Sequence, residues 1–175
     1  QGIYETMSRD IGLLRRAVKL LPPVAFKDLV DLDLVLTELW RVTQEEMNFL
    51  MEAANMEEFA DKNSNVAFVE VPRLYREFTT TQVLVMEYVD GFSIDDKANL
   101  LENGYDLNEI GTKFVDNFVK QVIDDGFFHA DPHPGNVMIR DGKIVWMDMG
   151  MMGRLTDRDR EFISRAVEGV ALNDI

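Results

Sequence analysis

The stretch from Asn136 to Asp148 constrains the chain more than any other. Val137-Met138-Ile139 and Ile144-Val145-Trp146 flank Asp141-Gly142, a dipeptide that accepts the φ > 0 geometry of a two-residue hairpin turn between β-forming runs. A tight hairpin brings its two feet together, so Asn136 at one foot and Asp148 at the other can share a single ion. Asp131 lies five residues before Asn136 and adds a carboxylate on the loop leading in. The plain alternative is a hairpin whose end carboxylates are merely solvated, as most aspartates are. Three polar residues at these intervals, on this strand pattern, weigh against it.

Hard oxygen donors of this kind suit magnesium, which keeps several waters and leans on substrate phosphates. Phosphoryl transfer asks the protein for little covalent chemistry, only a carboxylate to orient the acceptor and oxygen ligands to hold the metal. The interval from Asp131 to Asn136 matches the kinase catalytic loop H-R-D-x-x-x-x-N, written here from His129-Ala130-Asp131. Asp148-Met149-Gly150 then stands where D-F-G would, one apolar plug replacing another.

HADPHPGN, followed by DMG and preceded by MEYVDG and EAAN, resembles the UbiB family of atypical protein-kinase-like proteins, which is associated with ubiquinone biosynthesis. Aminoglycoside and choline kinases share the aspartate-to-asparagine interval, but Pro132-His133-Pro134-Gly135 and the EAAN helix point to UbiB. The resemblance covers nearly the whole chain and implies an α+β, two-lobed kinase-like fold, truncated at both ends. Residues 1–88 would be part of an upper lobe and residues 89–175 part of a helical lower lobe. It implies ATP and Mg2+ as cofactors, Asp131 as the acceptor-orienting residue, and Asn136 and Asp148 as metal ligands. Glu52, opening EAAN, would pair with a lysine from the third strand, and backbone groups of Glu87, Tyr88 and Val89 would bond the adenine edge as the hinge. The family's E-x-D motif reads Glu46-Met47-Asn48 here, with asparagine in place of the aspartate.

The partner lysine is expected before Gln1. Val24-Ala25-Phe26-Lys27 resembles V-A-I-K, but it follows Pro22-Pro23 and an amphipathic helix, with no Gly- or Ala-rich phosphate-covering loop upstream. The family resemblance further implies a lipid or isoprenoid substrate and a cytoplasmic protein held at a membrane through regions outside this stretch.

Composition narrows the classes. Eighteen basic against thirty-two acidic residues leave a net charge of −14, the wrong sign for tracking nucleic-acid phosphates. The absence of cysteine removes a disulfide framework, a thiolate nucleophile and a cysteine-based zinc site. No signal peptide is expected, and this stretch holds no apolar run of the roughly 18 residues a membrane-spanning helix needs.

Along the chain, Ile3, Met7, Ile11, Leu14, Val18 and Leu21 recur at helical steps, closed by Pro22-Pro23. A second helix is expected from about 33 to 60, with Leu36, Leu39, Trp40, Thr43, Met47, Leu50 and Ala54 on one face. A polar stripe of Glu45, Asn48, Glu52 and Asn55 lies opposite, and such a stripe is ordinarily solvated. Three strand-like runs follow at 67–71, 74–78 and 83–88. Asp106-Leu107-Asn108-Glu109 has the form of a capping box for a core helix to Asp124 carrying Leu107, Ile110, Phe114, Phe118 and Val122. Thr156 is placed to cap a last helix to about Val170.

His129, Asp131 and His133 could also begin a metal cluster, but two histidines and no cysteine would leave a zinc site to be finished by carboxylates such as Asp148. The preferred reading has His129 packed beneath the loop and His133 shaping it, with Met147, Met149, Met151 and Met152 filling core gaps. Two rivals to a UbiB-type ATPase or phosphotransferase stay open: a small-molecule phosphotransferase of the aminoglycoside or choline kinase type, and a non-catalytic nucleotide-dependent scaffold. Activity is expected of the parent protein and left open for this stretch alone.

Overall fold

The computed structural model describes residues 3–20, 32–46 and 48–171. Helix α1 (Ile3–Leu20) and helix α2 (Leu32–Glu46) pack on each other, burying Ile11 and Leu36. The Pro22-Pro23 stop and Lys27 lie outside the described residues. The long helix expected over 33–60 is instead two, because Asn48 opens a new one: its side chain accepts the Leu50 N–H at 3.1 Å and caps α3 (Phe49–Lys62). Apolar periodicity runs across this break and hides it.

The hairpin is present. Strands β4 (Val137–Arg140) and β5 (Lys143–Trp146) are antiparallel in the register Val137↔Trp146 to Arg140↔Lys143. Asp141 and Gly142 take φ of 51° and 74° at the turn, the left-handed pair a two-residue hairpin needs. β1 (Val69–Glu70) lies parallel to β5, and β2 (Phe92–Ser93) antiparallel to β4, giving the order β1-β5-β4-β2. The other two runs expected as strands are less regular. Leu74 and Met86 form a single bridge, and Arg76–Phe78 is a 3₁₀ turn, so the ribbon there is held by Tyr75 N–H to Val85 O and Glu87 N–H to Arg73 O.

α4 (Lys97–Glu102) leads to α5 (Leu107–Lys120), which Asp106 caps by accepting the Asn108 and Glu109 N–H groups. The expected run to Asp124 loosens into a π turn at Gln121–Asp125, closed by Gly126 at φ 58°. β3 (Phe127–His129) and β6 (Met152–Arg154) then form a second, two-stranded sheet. α6 (Asp157–Ala171) begins after Thr156, whose hydroxyl accepts the Asp159 N–H while Asp159 accepts back from Thr156.

One core joins these elements. Met56 and Phe59 of α3, Ile110 of α5, Ile144 and Trp146 of β5, and Met149 are fully or nearly buried together. The indole of Trp146 stacks on Phe114 at 5.5 Å and meets Phe59 edge-on at 6.0 Å, contacts that aromatic pairs favour beyond their area. The open end of the hairpin is therefore anchored in this core through Val137 and Trp146. Met149 belongs to this core, but Met151 is 44% exposed and does not fill it. No helix among the described residues is long and apolar enough to cross a membrane.

Candidate active site

Two adjoining cavities, of about 550 and 330 Å³, share Phe49, Glu52, Asn136 and Asp148 on their walls. The larger adds Val83, Leu84, Met86 and Met147, and the smaller adds His129, Asp131 and Gly150. An apolar half thus passes into a half lined by oxygen-bearing side chains. Glu52, Asp131, Asn136 and Asp148 come together around this one cleft, whereas neither cavity is lined by Glu87, Tyr88 or Val89. Met86, the residue just before them, does line it. Tyr88 is 87% exposed and Val89 is buried.

The loop from His129 to Asn136 is held by its own backbone and by His129. The His129 ring, stacked on Trp146 at 5.0 Å, points Nε2 at the carbonyl oxygen of Asp148. Since a carbonyl can only accept, Nε2 carries the proton. Nδ1 then accepts the Asp131 N–H at 3.2 Å. The imidazole is neutral in this arrangement, and burial holds its pKa below the ordinary value, outweighing the Asp148 carbonyl and the carboxylates that favour charge. With both nitrogens engaged, the ring ties the Asp131 loop to the Asp148 segment and is not free to bind zinc. His133 shapes the loop, its Nδ1 accepting the Gly135 N–H at 3.1 Å and its carbonyl the Asn136 N–H at 2.8 Å.

Asn136 donates from Nδ2 to Asp131 O at 3.1 Å, so Oδ1 is its remaining acceptor. Asp148 Oδ1 accepts the Gly150 N–H at 2.8 Å. A Cβ added at Gly150 would stand 3.1 Å from that same oxygen, which favours a bare backbone there. From α3, Asn55 donates to Met149 O at 2.9 Å. The α3 part of the polar stripe is therefore no solvated face: Asn48 caps, Glu52 enters the cleft, and Asn55 grips the segment after β5.

Burial raises the pKa of Glu52, the negative charge of Asp148 raises it further, and the Met149 N–H offsets part of this. Two carboxylates face one another with no basic side chain pairing Glu52 among the described residues.

Beneath the site runs a buried polar chain that the sequence reading missed. Asn63, at the end of α3, bonds through Oδ1 to Asn117 Nδ2 at 2.7 Å. Asn117 Oδ1 accepts from Trp146 Nε1 and from Gln121 Nε2, both at 2.8 Å. Gln121 Oε1 accepts the His129 N–H at 3.0 Å. Asn117 and Gln121 are four residues apart in α5 and the π turn, on the face of Ile110 and Phe114. Two amides interrupting an apolar stripe were the available signal.

The chain is similar to known proteins along most of its length. The family model for the ABC1 atypical kinase-like domain matches residues 1–175. A probable protein kinase UbiB of Tolumonas auensis is 32% identical over 167 residues, covering 93% of this chain and 31% of that protein. ACTIVITY OF BC1 COMPLEX KINASE 8, chloroplastic, of Arabidopsis thaliana is 40% identical over 136 residues, covering 76% of this chain and 18% of its own length. The structure of Rv3197 from Mycobacterium tuberculosis, solved in complex with erythromycin, superposes with a TM-score of 0.69 at 27% identity, over 88% of this chain and 38% of that one. The chain spans about a third or less of these curated relatives, and its α+β architecture is kinase-like.

Proposed function

Because this chain belongs to the ABC1 atypical kinase-like family, we propose that its cleft binds ATP with Mg2+ and that the full-length protein hydrolyses the nucleotide or transfers its terminal phosphoryl group. The observation that carries this is the convergence of Asp131, Asn136, Asp148 and Glu52 on one cleft whose other half is apolar. The donor set fits the metal: hard oxygens, with two carboxylates in mutual repulsion that a divalent cation would relieve. Asn136 Oδ1 and the Asp148 carboxylate would hold Mg2+, whose contribution when bound is to neutralise and orient phosphate oxygens.

Asp131 stands exposed at the mouth of the loop, and its carboxylate would orient an acceptor hydroxyl or water and take its proton. His129 keeps the Asp131 and Asp148 segments in fixed relation. Glu52 would orient a phosphate-binding lysine supplied from outside the described residues. Leu84, Met86 and Met147 offer an apolar slot for the adenine ring, whose edge would meet the backbone of Glu87 to Val89. Residues 1–88 and 89–175 would supply the upper and lower walls. Support for ubiquinone or related isoprenoid-lipid metabolism at a membrane rests on the resemblance to the UbiB family, with one relative named as a probable protein kinase UbiB.

The test is Mg2+-dependent ATP binding by the full-length protein, measured by calorimetry. Asp148→Asn removes a ligand charge and is expected to weaken Mg2+-ATP binding by about tenfold to a hundredfold. Unchanged affinity in that variant would overturn the metal assignment.

A further inference from the structure

Arg140 closes β4 at the turn end of the hairpin, about as far from Asn136 as the strand allows, and all three of its guanidinium nitrogens donate to carboxylates. Nη1 donates to Glu87 Oε1 at 2.6 Å, while Nε and Nη2 both reach Glu70 Oε2 at 3.2 and 2.8 Å. Lys143, across the turn, donates to Glu70 Oε1 at 2.6 Å. The second oxygen of Glu87 accepts the Arg73 N–H at 3.1 Å, so this carboxylate joins the ribbon arm before the hinge to the hairpin. Arg140 is only 22% exposed on its side chain, and partly desolvated, multidentate pairs of this kind hold geometry far better than solvated ones.

The other end of the same segment runs close against the hairpin. A Cβ at Gly91 would fall 2.7 Å from the carbonyl oxygen of Ile139, so the backbone leaving Asp90 lies directly against β4. Glu87 and Gly91 bracket Tyr88 to Asp90: Arg140 bonds Glu87, and Gly91 lies against Ile139 just before Phe92 pairs with that same residue of β4. The strand that begins beside a metal-site residue therefore ends by clamping the segment that follows Met86, a wall of the apolar half of the cleft.

From this we infer that Arg140 is a positioning residue for the nucleoside end of the bound nucleotide. It holds the hinge so that its backbone groups meet the adenine edge, while taking no part in binding phosphate or metal. The inference rests on the ATP reading above.

The discriminating ligands are Mg2+-ATP and Mg2+-tripolyphosphate, which share phosphates but not adenosine. In the full-length protein, Arg140→Met is expected to raise the Kd for Mg2+-ATP about tenfold and leave that for Mg2+-tripolyphosphate within about twofold. Arg140→Lys, keeping the charge but losing the fork, should fall between. Gly91→Ala, acting at the other clamp, should reproduce the selective loss. Equal weakening of both ligands, or no change in either, would overturn the role of Arg140. If the unmodified protein itself gains nothing from adenosine over tripolyphosphate, the nucleotide reading falls and this inference with it.

Discussion

Glu52 shows how one side chain can cost stability where it serves a site. Its pKa is raised above 4.5, first by burial and then by Asp148, so the folded protein holds this proton more tightly than the unfolded chain does. Its contribution to stability is then fully present below pH 4.5 and is lost as pH rises through the folded value. At neutral pH the ionised carboxylate works against the fold. Glu52→Gln keeps an acceptor for the Met149 N–H and removes the repulsion. It should therefore raise the Tm of metal-free protein at pH 7 by roughly 2–4 °C, with the gain shrinking toward pH 4. A lower Tm for the variant at pH 7 would show that some unseen cation already balances the pair.

At the scale of elements, the junction of α5 with its π turn decides whether the catalytic loop has a floor. Asn117 satisfies Asn63, Gln121 and Trp146 at once, and Gln121 passes the connection to His129. Asn117→Leu would leave two buried donors and one acceptor unpaired. It should lower unfolding free energy by roughly 3–5 kcal/mol in urea titration. A loss below about 1 kcal/mol would mean that the network is not coupled to the core. This network also marks the limit of what the residues told in advance. Asp131, Asn136 and Asp148 were legible because a tight hairpin makes their meeting a local matter. The Asn48 break was masked by apolar periodicity that continues through it. The Asn63–Asn117–Trp146 contacts, like the Arg140 pairs, join residues tens of positions apart; the apolar stripe of α5 marks Asn117 and Gln121 as buried amides, but spacing along the chain does not name their partners. In the 74–88 ribbon the β-forming residues predict regular strands, but only the Leu74–Met86 bridge pairs there.

Taken as a whole, the molecule carries a net charge of −14, so its basic residues are too few to be spent at random. Arg140 and Lys143 are drawn to Glu70, Arg140 also to Glu87, and Arg154 to Glu58. Lys143 first, then Arg140, hold the Glu70 carboxyl below its ordinary pKa of 4.5. Arg154 does the same for Glu58, and the Arg73 N–H and Arg140 do so for Glu87. A depressed folded pKa means that the unfolded chain binds these protons more readily, so the stability is present above pH 4.5 and is lost as pH falls through the folded values. Acid unfolding should therefore begin below about pH 4.5, where repulsion among the remaining carboxylates is already fading and cannot be its cause. Glu70→Gln separates the two contributions. It should cost about 1 kcal/mol at pH 7, the discounted worth of partly exposed pairs, and flatten the loss of unfolding free energy between pH 4.5 and 3. Added sodium chloride should narrow the gap between variant and parent at pH 7, since screening weakens the pairs. Parallel stability curves for the two proteins through that acid range would mean that Glu70 titrates no differently in the fold than in the open chain, and that the cluster joining β1, the hairpin and the hinge segment contributes shape but no pH-dependent energy.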